Sequence, residues 1–229
     1  MSGRLYAGVA GFSYPSWRGS FYPAEAKPDE FLRRYAERLP SVELVGVFYR
    51  LPSEEQFRHW AGETPSEFRF GVKMTRGIAE GRLDRLATFA ERMRTLDDRL
   101  GAVRIQLPPT RPRDDGFLTF LLGSLDPELR LAFEAEHESW QAPEVDAVLA
   151  AAGAARVNHL DGGATFRYLR LRDVPYSDEE LEALAARLRP FLTRVIDVYA
   201  YFKHEDEPRG AFYAERLLEL ASRGEEGHD

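Results

Sequence analysis

The sequence predicts an α/β barrel of the TIM type with a polar interior and one irregular stretch of wall. Three observations lead there. Short β-like runs alternate with amphipathic helical runs along the chain, as in a parallel sheet built from βαβ units. Within the strands, polar residues alternate with apolar ones, so one face of the sheet is apolar and the other is not. The length of 229 residues suits one such barrel.

Strands are expected near 5–11, 41–48, 67–73, 101–107, 129–134, 155–159, 165–171 and 194–202. Helices are expected near 28–39, 53–63, 84–98, 115–122, 143–152, 177–189 and 209–222. Ser53 followed by Gln56, and Ser177 followed by Glu180, are capping-box patterns that mark two helix starts. Asp84 is placed to cap the helix that carries Leu86, Phe89, Ala90 and Met93. Between the sixth and seventh strands only Leu160 to Ala164 remain, too few for a helix. The TIM-barrel-like fold is therefore irregular, with one helix missing between strands six and seven. No repeat of about 20–50 residues interrupts the pattern. One domain is expected over 1–224, followed by a flexible acidic tail at 225–229.

Composition removes several kinds of chemistry. The absence of cysteine excludes disulfides, thiolate metal sites and a cysteine nucleophile. No apolar run reaches the roughly 18 residues needed to span a membrane, so no membrane partner is expected. No secretory leader pattern opens the chain, which points to the cytoplasm. A net charge of −7 disfavours broad nucleic-acid binding. No glycine-rich nucleotide loop and no nucleophile elbow occurs.

The strand alternation names the inward side chains. Arg69, Gly71 and Lys73 interleave with Phe68, Phe70 and Val72. Ala102, Arg104 and Gln106 interleave with Val103, Ile105 and Leu107. Arg130, Ala132 and Glu134 flank Leu131 and Phe133. Asp197, Tyr199 and Tyr201 alternate with Ile196, Val198, Ala200 and Phe202. A polar interior is costly unless its groups pair with one another. Glu43, Arg69, Arg104, Arg130 and Asp197, low or midway along their strands, are accordingly expected to form a structural charge network. Lys73, Gln106, Glu134 and Tyr201 stand at strand C-terminal ends, where barrel active sites are built.

Lys73 stands out further. Only three lysines occur among 31 basic residues. Lysine loses its proton when buried and arginine effectively does not. Lys73 and Glu134 are the expected catalytic pair, a desolvated base and a carboxylate that shuttles its proton. Tyr14, Trp17, Tyr49, Arg50, Gln106 and Tyr201 are expected to bind the substrate. Phe21 and Phe48 are expected to pack. The loop arginines, including Arg18, Arg50, Arg76, Arg111, Arg113 and Arg172, suggest an anionic small-molecule ligand. The leading expectation needs no cofactor. An alternative uses Glu43, Glu134, His137 and His159 to hold a divalent metal, although no strong ligand motif is present.

Several blocks stand in order along the chain: Gly11 to Gly19, Phe21-Tyr22-Pro23, Val42-Glu43, Phe48 to Ser53, Trp60, Phe70 to Lys73, Gln106 to Pro109, Phe133-Glu134, His137, Trp140 and Val198 to Phe202. In this order and spacing they resemble the YecE-like family, catalogued as domain of unknown function 72. The resemblance implies a TIM-barrel-like fold and no named activity. Four stretches depart from the residues usual in that family. Val45-Gly46-Val47 replaces Asn-Ser-Thr, Ala79-Glu80 a Thr-His pair, Glu136 an arginine and Arg172-Asp173 a His-Gly pair. Three functions follow as expectations. The first is acid/base chemistry of hydrolase or lyase type on a small polar anionic metabolite or nucleotide-like ligand. The second is metal-dependent processing of phosphodiesters or nucleic acid. The third is binding without catalysis.

Overall fold

A computed structural model describes residues 2–223. Eight parallel strands form one sheet: β1 (Leu5–Ala10), β2 (Ser41–Leu44), β3 (Arg69–Lys73), β4 (Leu100–Gln106), β5 (Leu131–Glu134), β6 (Ala155–Arg156), β7 (Phe166–Leu171) and β8 (Asp197–Phe202). They lie in the order β6-β5-β4-β3-β2-β1-β8-β7, so the sheet curls until β6 and β7 meet. The helices are α1 (Phe31–Ala36), α2 (Glu54–Gly62), α3 (Arg76–Ala79), α4 (Leu86–Arg94), α5 (Asp115–Gly123), α6 (Pro143–Ala151), α7 (Asp178–Thr193) and α8 (Arg209–Ser222). This is the predicted TIM-barrel-like architecture. Among the described residues, no helix is long and apolar enough to cross a membrane. The predicted acidic tail, 225–229, lies outside the described residues.

The alternation sorts the side chains into two cores. Val42, Phe70, Val72, Val103, Ile105, Phe133, Val198 and Phe202 point outward and pack under the helices. The interior holds Tyr6, Tyr168, Tyr199 and Tyr201 with Ala102, Ala132, Ala155 and Phe166. Ordinary barrels fill this space with branched apolar layers. Here, large rings lie against very small neighbours. A Cβ on Gly71 would stand 2.7 Å from the Tyr201 hydroxyl, and one on Gly101 would stand 2.7 Å from the Tyr199 ring. Glycine at those positions makes room for the tyrosines. Tyr199 in turn stacks on Tyr6 at 5.0 Å.

The seam between β6 and β7 is the irregular closure. No helix lies between these strands, as predicted. Asn158, in the left-handed region at φ 63°, bonds its backbone N–H to Tyr168 O at 2.9 Å. Its Nδ2 donates to Arg170 O at 3.1 Å, and its Oδ1 accepts from Arg170 N at 2.6 Å. A side-chain amide thus supplies the two bonds that a neighbouring strand would give. Asparagine tolerates this backbone better than most residues. Outside the seam, the Arg167 guanidinium donates to the carbonyls of Leu160, Gly162 and Ala164 and ties down the short connection.

Three local expectations are corrected. Strand two stops at Leu44, and Val45–Phe48 wind into a 3-10 turn. The cause lies next door: Gly11, at φ +96°, turns β1 away after Ala10, so residues past Leu44 lose that ladder partner. Helix 84–98 is divided into a 3-10 turn at Leu83–Arg85, α4, and a second 3-10 turn at Asp97–Arg99. Asp84 does not cap it, because Arg85 occupies the cap position and makes no side-chain cap bond. Of the two expected capping boxes, Ser53 forms half and Ser177 forms the whole. Ser53 accepts from Gln56 N, and Ser177 with Glu180 forms the full reciprocal box.

Candidate functional site at the barrel mouth

The upper interior is an ionic layer centred on Glu43, which has no exposed surface. One Glu43 oxygen accepts from Arg104 Nε and from the Tyr168 hydroxyl, both at 2.6 Å. The other faces Arg170 Nη1 at 3.2 Å. Burial pushes this carboxyl up, but the Arg104 and Arg170 guanidiniums and the Tyr168 hydroxyl outweigh burial and hold it down at about 2. Glu43 is therefore a fixed carboxylate that fastens β2 to β4 and β7. The expected single charge network is corrected to two layers. Arg130 and Asp197 pair at 3.0 Å at the opposite end of the barrel, and Arg69 bonds the carbonyls of Ser66 and Phe68.

Above Glu43 lies the mouth. The register sets Lys73 beside Arg104, and Gln106 beside Glu134. Arg104 Nη1 donates to Glu134 at 2.5 Å and to Gln106 Oε1 at 3.1 Å. The second Glu134 oxygen accepts from Arg172 Nη2 at 2.5 Å. Lys73 and Glu134 stand in the same layer but form no ion pair, because the longer arginine fork reaches the carboxylate first. Lys73 sets its ammonium over the Phe48 ring, 3.6 Å from the centroid. Burial and then the Arg104 guanidinium lower Lys73 to about 8, against the pull of Glu43 and Glu134. Three arginines, Arg104, Arg170 and Arg172, thus share two carboxylates, and Lys73 adds a fourth cation with no ion pair among the described residues. The Arg170 Nε is buried without a hydrogen-bond partner among the described residues.

The remaining expected residues divide by depth. Gln106 and Tyr49 line a cavity of about 290 Å³ beside the mouth, together with Phe48, Arg76 and Pro108. Tyr49 is 82% exposed, and Arg50 is also exposed. Tyr14 stacks on His204 at 5.2 Å and donates to Ala10 O at 2.6 Å. Burial raises its phenol to about 12. Trp17 and Tyr201 offer a ligand no surface. Trp17 is a plug under the first loop, with Nε1 on Glu205 O, and Tyr201 bonds Ser41 at 2.6 Å deep in the barrel.

The metal alternative finds no assembled ligand set. Among the described residues, no group of three or more histidines and carboxylates is placed to hold a metal. Glu43 and Glu134 are held by arginines. His137 accepts from Ser139 N and caps a 3-10 turn, and His159 lies on an outer groove beside α6. Two mouth residues escape the sequence reading. Arg170 is one, and the alternation of β7 carries its signal, since Phe166, Tyr168 and Arg170 share the inward face. His204 is the other. Burial, then Arg170 and Lys203, lowers its imidazole below the ordinary value.

An eight-stranded parallel barrel with a buried ionic layer and a cation-rich mouth defines the class of protein. The chain belongs to the family described as "Protein of unknown function DUF72", whose sequence model matches residues 6–228. Solved structures of two such proteins are similar in fold. The DUF72 family protein EF0366 from Enterococcus faecalis V583 shares 18% identity, with a TM-score of 0.79 over 96% of each chain. The DUF72 family protein TM1631 from Thermotoga maritima MSB8 shares 21% identity, with a TM-score of 0.69 over 95% of this chain and 99% of that one. No curated protein matches the sequence.

Proposed function

We propose that the protein binds a small oxyanionic metabolite at the barrel mouth and performs acid/base chemistry on it, of hydrolase or lyase type. The single observation that supports this reading is the charge inventory of the mouth. Among the described residues Lys73 has no carboxylate partner, and Arg170 keeps an unused buried donor. A half-buried cleft whose cations outnumber its carboxylates attracts an anion, and a guanidinium matches an oxyanion in both charge and geometry.

In this reading Lys73 is the base. A lysine near 8 releases its proton close to neutral pH, where an exposed lysine stays charged. It takes a proton from the bound ligand or from a water, and its ammonium then faces the developing negative charge. Arg170 and Arg172 hold the oxyanion. Glu134, with both oxygens on arginines, is a positioning residue that aims Arg172 and Arg104. The test has two parts. Inorganic phosphate binding is measured by calorimetry on the wild type and on Lys73→Met, and both are screened for turnover of anionic metabolites. Phosphate binding and turnover in the wild type, with turnover lost in Lys73→Met, support the reading. Full turnover in Lys73→Met overturns the role of lysine. Tight binding with no turnover assigns the mouth to binding alone.

A further inference from the structure

Next to the mouth, separated from Lys73 by the Phe48 ring, a second and larger cleft opens. Its volume is about 780 Å³, within the range of pockets that take a drug-sized ligand. It runs from Phe48 and Tyr49 across α3 to the turn that precedes α4. Four of its side chains have complementary chemistry. Arg82 and Arg85 come together over Gly77: a Cβ placed there would lie 3.4 Å from Arg85 Nη1 and 3.6 Å from the Cδ atoms of both arginines. Neither guanidinium has an ion-pair or hydrogen-bond partner among the described residues, whereas Arg76, which lines the same cleft, is paired with Glu80 at 2.7 Å. Two arginine stems brought over one backbone position can turn both guanidiniums onto one divalent anion. Asp84 lines the same cleft, is likewise unpaired, and is the residue that fails to cap α4. Tyr49 stands at the other end with 82% of its surface exposed, among the few large hydrophobic side chains left so open.

We propose that this cleft is a binding site for a mononucleotide. The phosphate sits between Arg82 and Arg85. Asp84 accepts hydrogen bonds from ribose hydroxyls or a base amine, which a carboxylate does and a guanidinium does not. The base stacks on Tyr49. Each part of the ligand thus answers a group the protein leaves unpartnered. The Gly77 position explains why the two arginine stems pass so close to the backbone. The site adjoins the mouth through Phe48 but does not depend on the role given to Lys73.

The experiment is calorimetric titration of the full chain with adenosine monophosphate, adenosine, ribose 5-phosphate and inorganic phosphate. The four cleft residues to be substituted are exposed, and melting curves check that the variants fold. The expected order is tightest binding for the monophosphate nucleotide, with adenosine and ribose 5-phosphate at least tenfold weaker. Arg82→Ala and Arg85→Ala each weaken the nucleotide tenfold or more and leave adenosine unchanged. Tyr49→Ala weakens the nucleotide and leaves ribose 5-phosphate unchanged. Asp84→Asn weakens the nucleotide and leaves inorganic phosphate unchanged. Lys73→Met leaves nucleotide affinity within twofold. No nucleotide binding, or binding that survives the Arg82→Ala/Arg85→Ala double variant, overturns the proposal. Binding of a single-stranded oligonucleotide without binding of the mononucleotide also overturns it and assigns the cleft to nucleic acid. Loss of nucleotide binding in Lys73→Met alone would move the ligand to the mouth.

Discussion

Replacing Glu43 with Gln keeps the shape of the side chain and removes the charge on which Arg104 and Arg170 converge. Arg104 then keeps only Glu134, and Arg170 is buried with no carboxylate partner among the described residues. Breaking one partner out of a buried ion pair costs about 3–5 kcal/mol, because the stranded charge stays desolvated. The pH dependence gives a second estimate. Glu43 is held at about 2, against an ordinary value of 4.5. At about 1.4 kcal/mol per pH unit, that difference contributes roughly 3 kcal/mol. The folded pKa is depressed, so this stability is fully present above about 4.5 and is lost as pH falls toward 2. Urea unfolding of the wild type and Glu43→Gln at pH 7, 5, 4 and 3 measures it. The gap between them should be about 3 kcal/mol at pH 7 and pH 5 and should narrow at pH 4 and pH 3. A gap below about 0.5 kcal/mol at pH 7, typical of an unremarkable surface change, would refute the claim that Glu43 locks the ionic layer. So would a gap that does not change with pH.

Three further predictions follow from the same geometry. Asn158→Ala removes two bonds to the backbone of Arg170 and should cost about 2–4 kcal/mol, lowering Tm by roughly 5–15 °C in calorimetry; an unchanged Tm refutes the account of the seam. Lys73 has a folded pKa below its unfolded one, so between about 8 and 10.5 the unfolded chain binds more protons and stability rises with pH. Lys73→Met should flatten that rise in urea unfolding at pH 8 and pH 10, and parallel curves contradict it. Arg172→Gln frees one Glu134 oxygen and removes a cation that is 37% exposed at the mouth, so phosphate affinity should fall about tenfold while stability changes by less than about 1 kcal/mol.

The legible part of this protein is what alternation controls. The inward face of β3, β4, β5 and β8 follows from residues spaced two apart, and the missing helix follows from length, because the five residues of 160–164 cannot hold one. The arginine-rich composition by itself isolates Lys73. What alternation cannot carry is depth and reach. It sets Tyr201 on the inward face, but not that Gly71 and Ser41 let it sink below the mouth. It sets Lys73 and Glu134 at neighbouring strand ends, but not that the Arg104 fork spans both carboxylates. Arg170 depends on how β7 meets β6, and that closure runs through the side chain of Asn158, which no ladder pattern announces. Trp17 looks like a ligand platform in sequence because loops usually expose such rings; here the first loop folds over it.

The mouth reading rests on Lys73, a lysine of lowered pKa that awaits an anion. With three lysines in the chain, reductive ¹³C-methylation gives few signals, and Lys73→Met identifies the one that matters. NMR titration of that signal should give a midpoint of about 8 in the free protein and an upward move with saturating phosphate, since a bound anion favours the ammonium. A midpoint near the ordinary lysine value of 10.5, indifferent to phosphate, would contradict it.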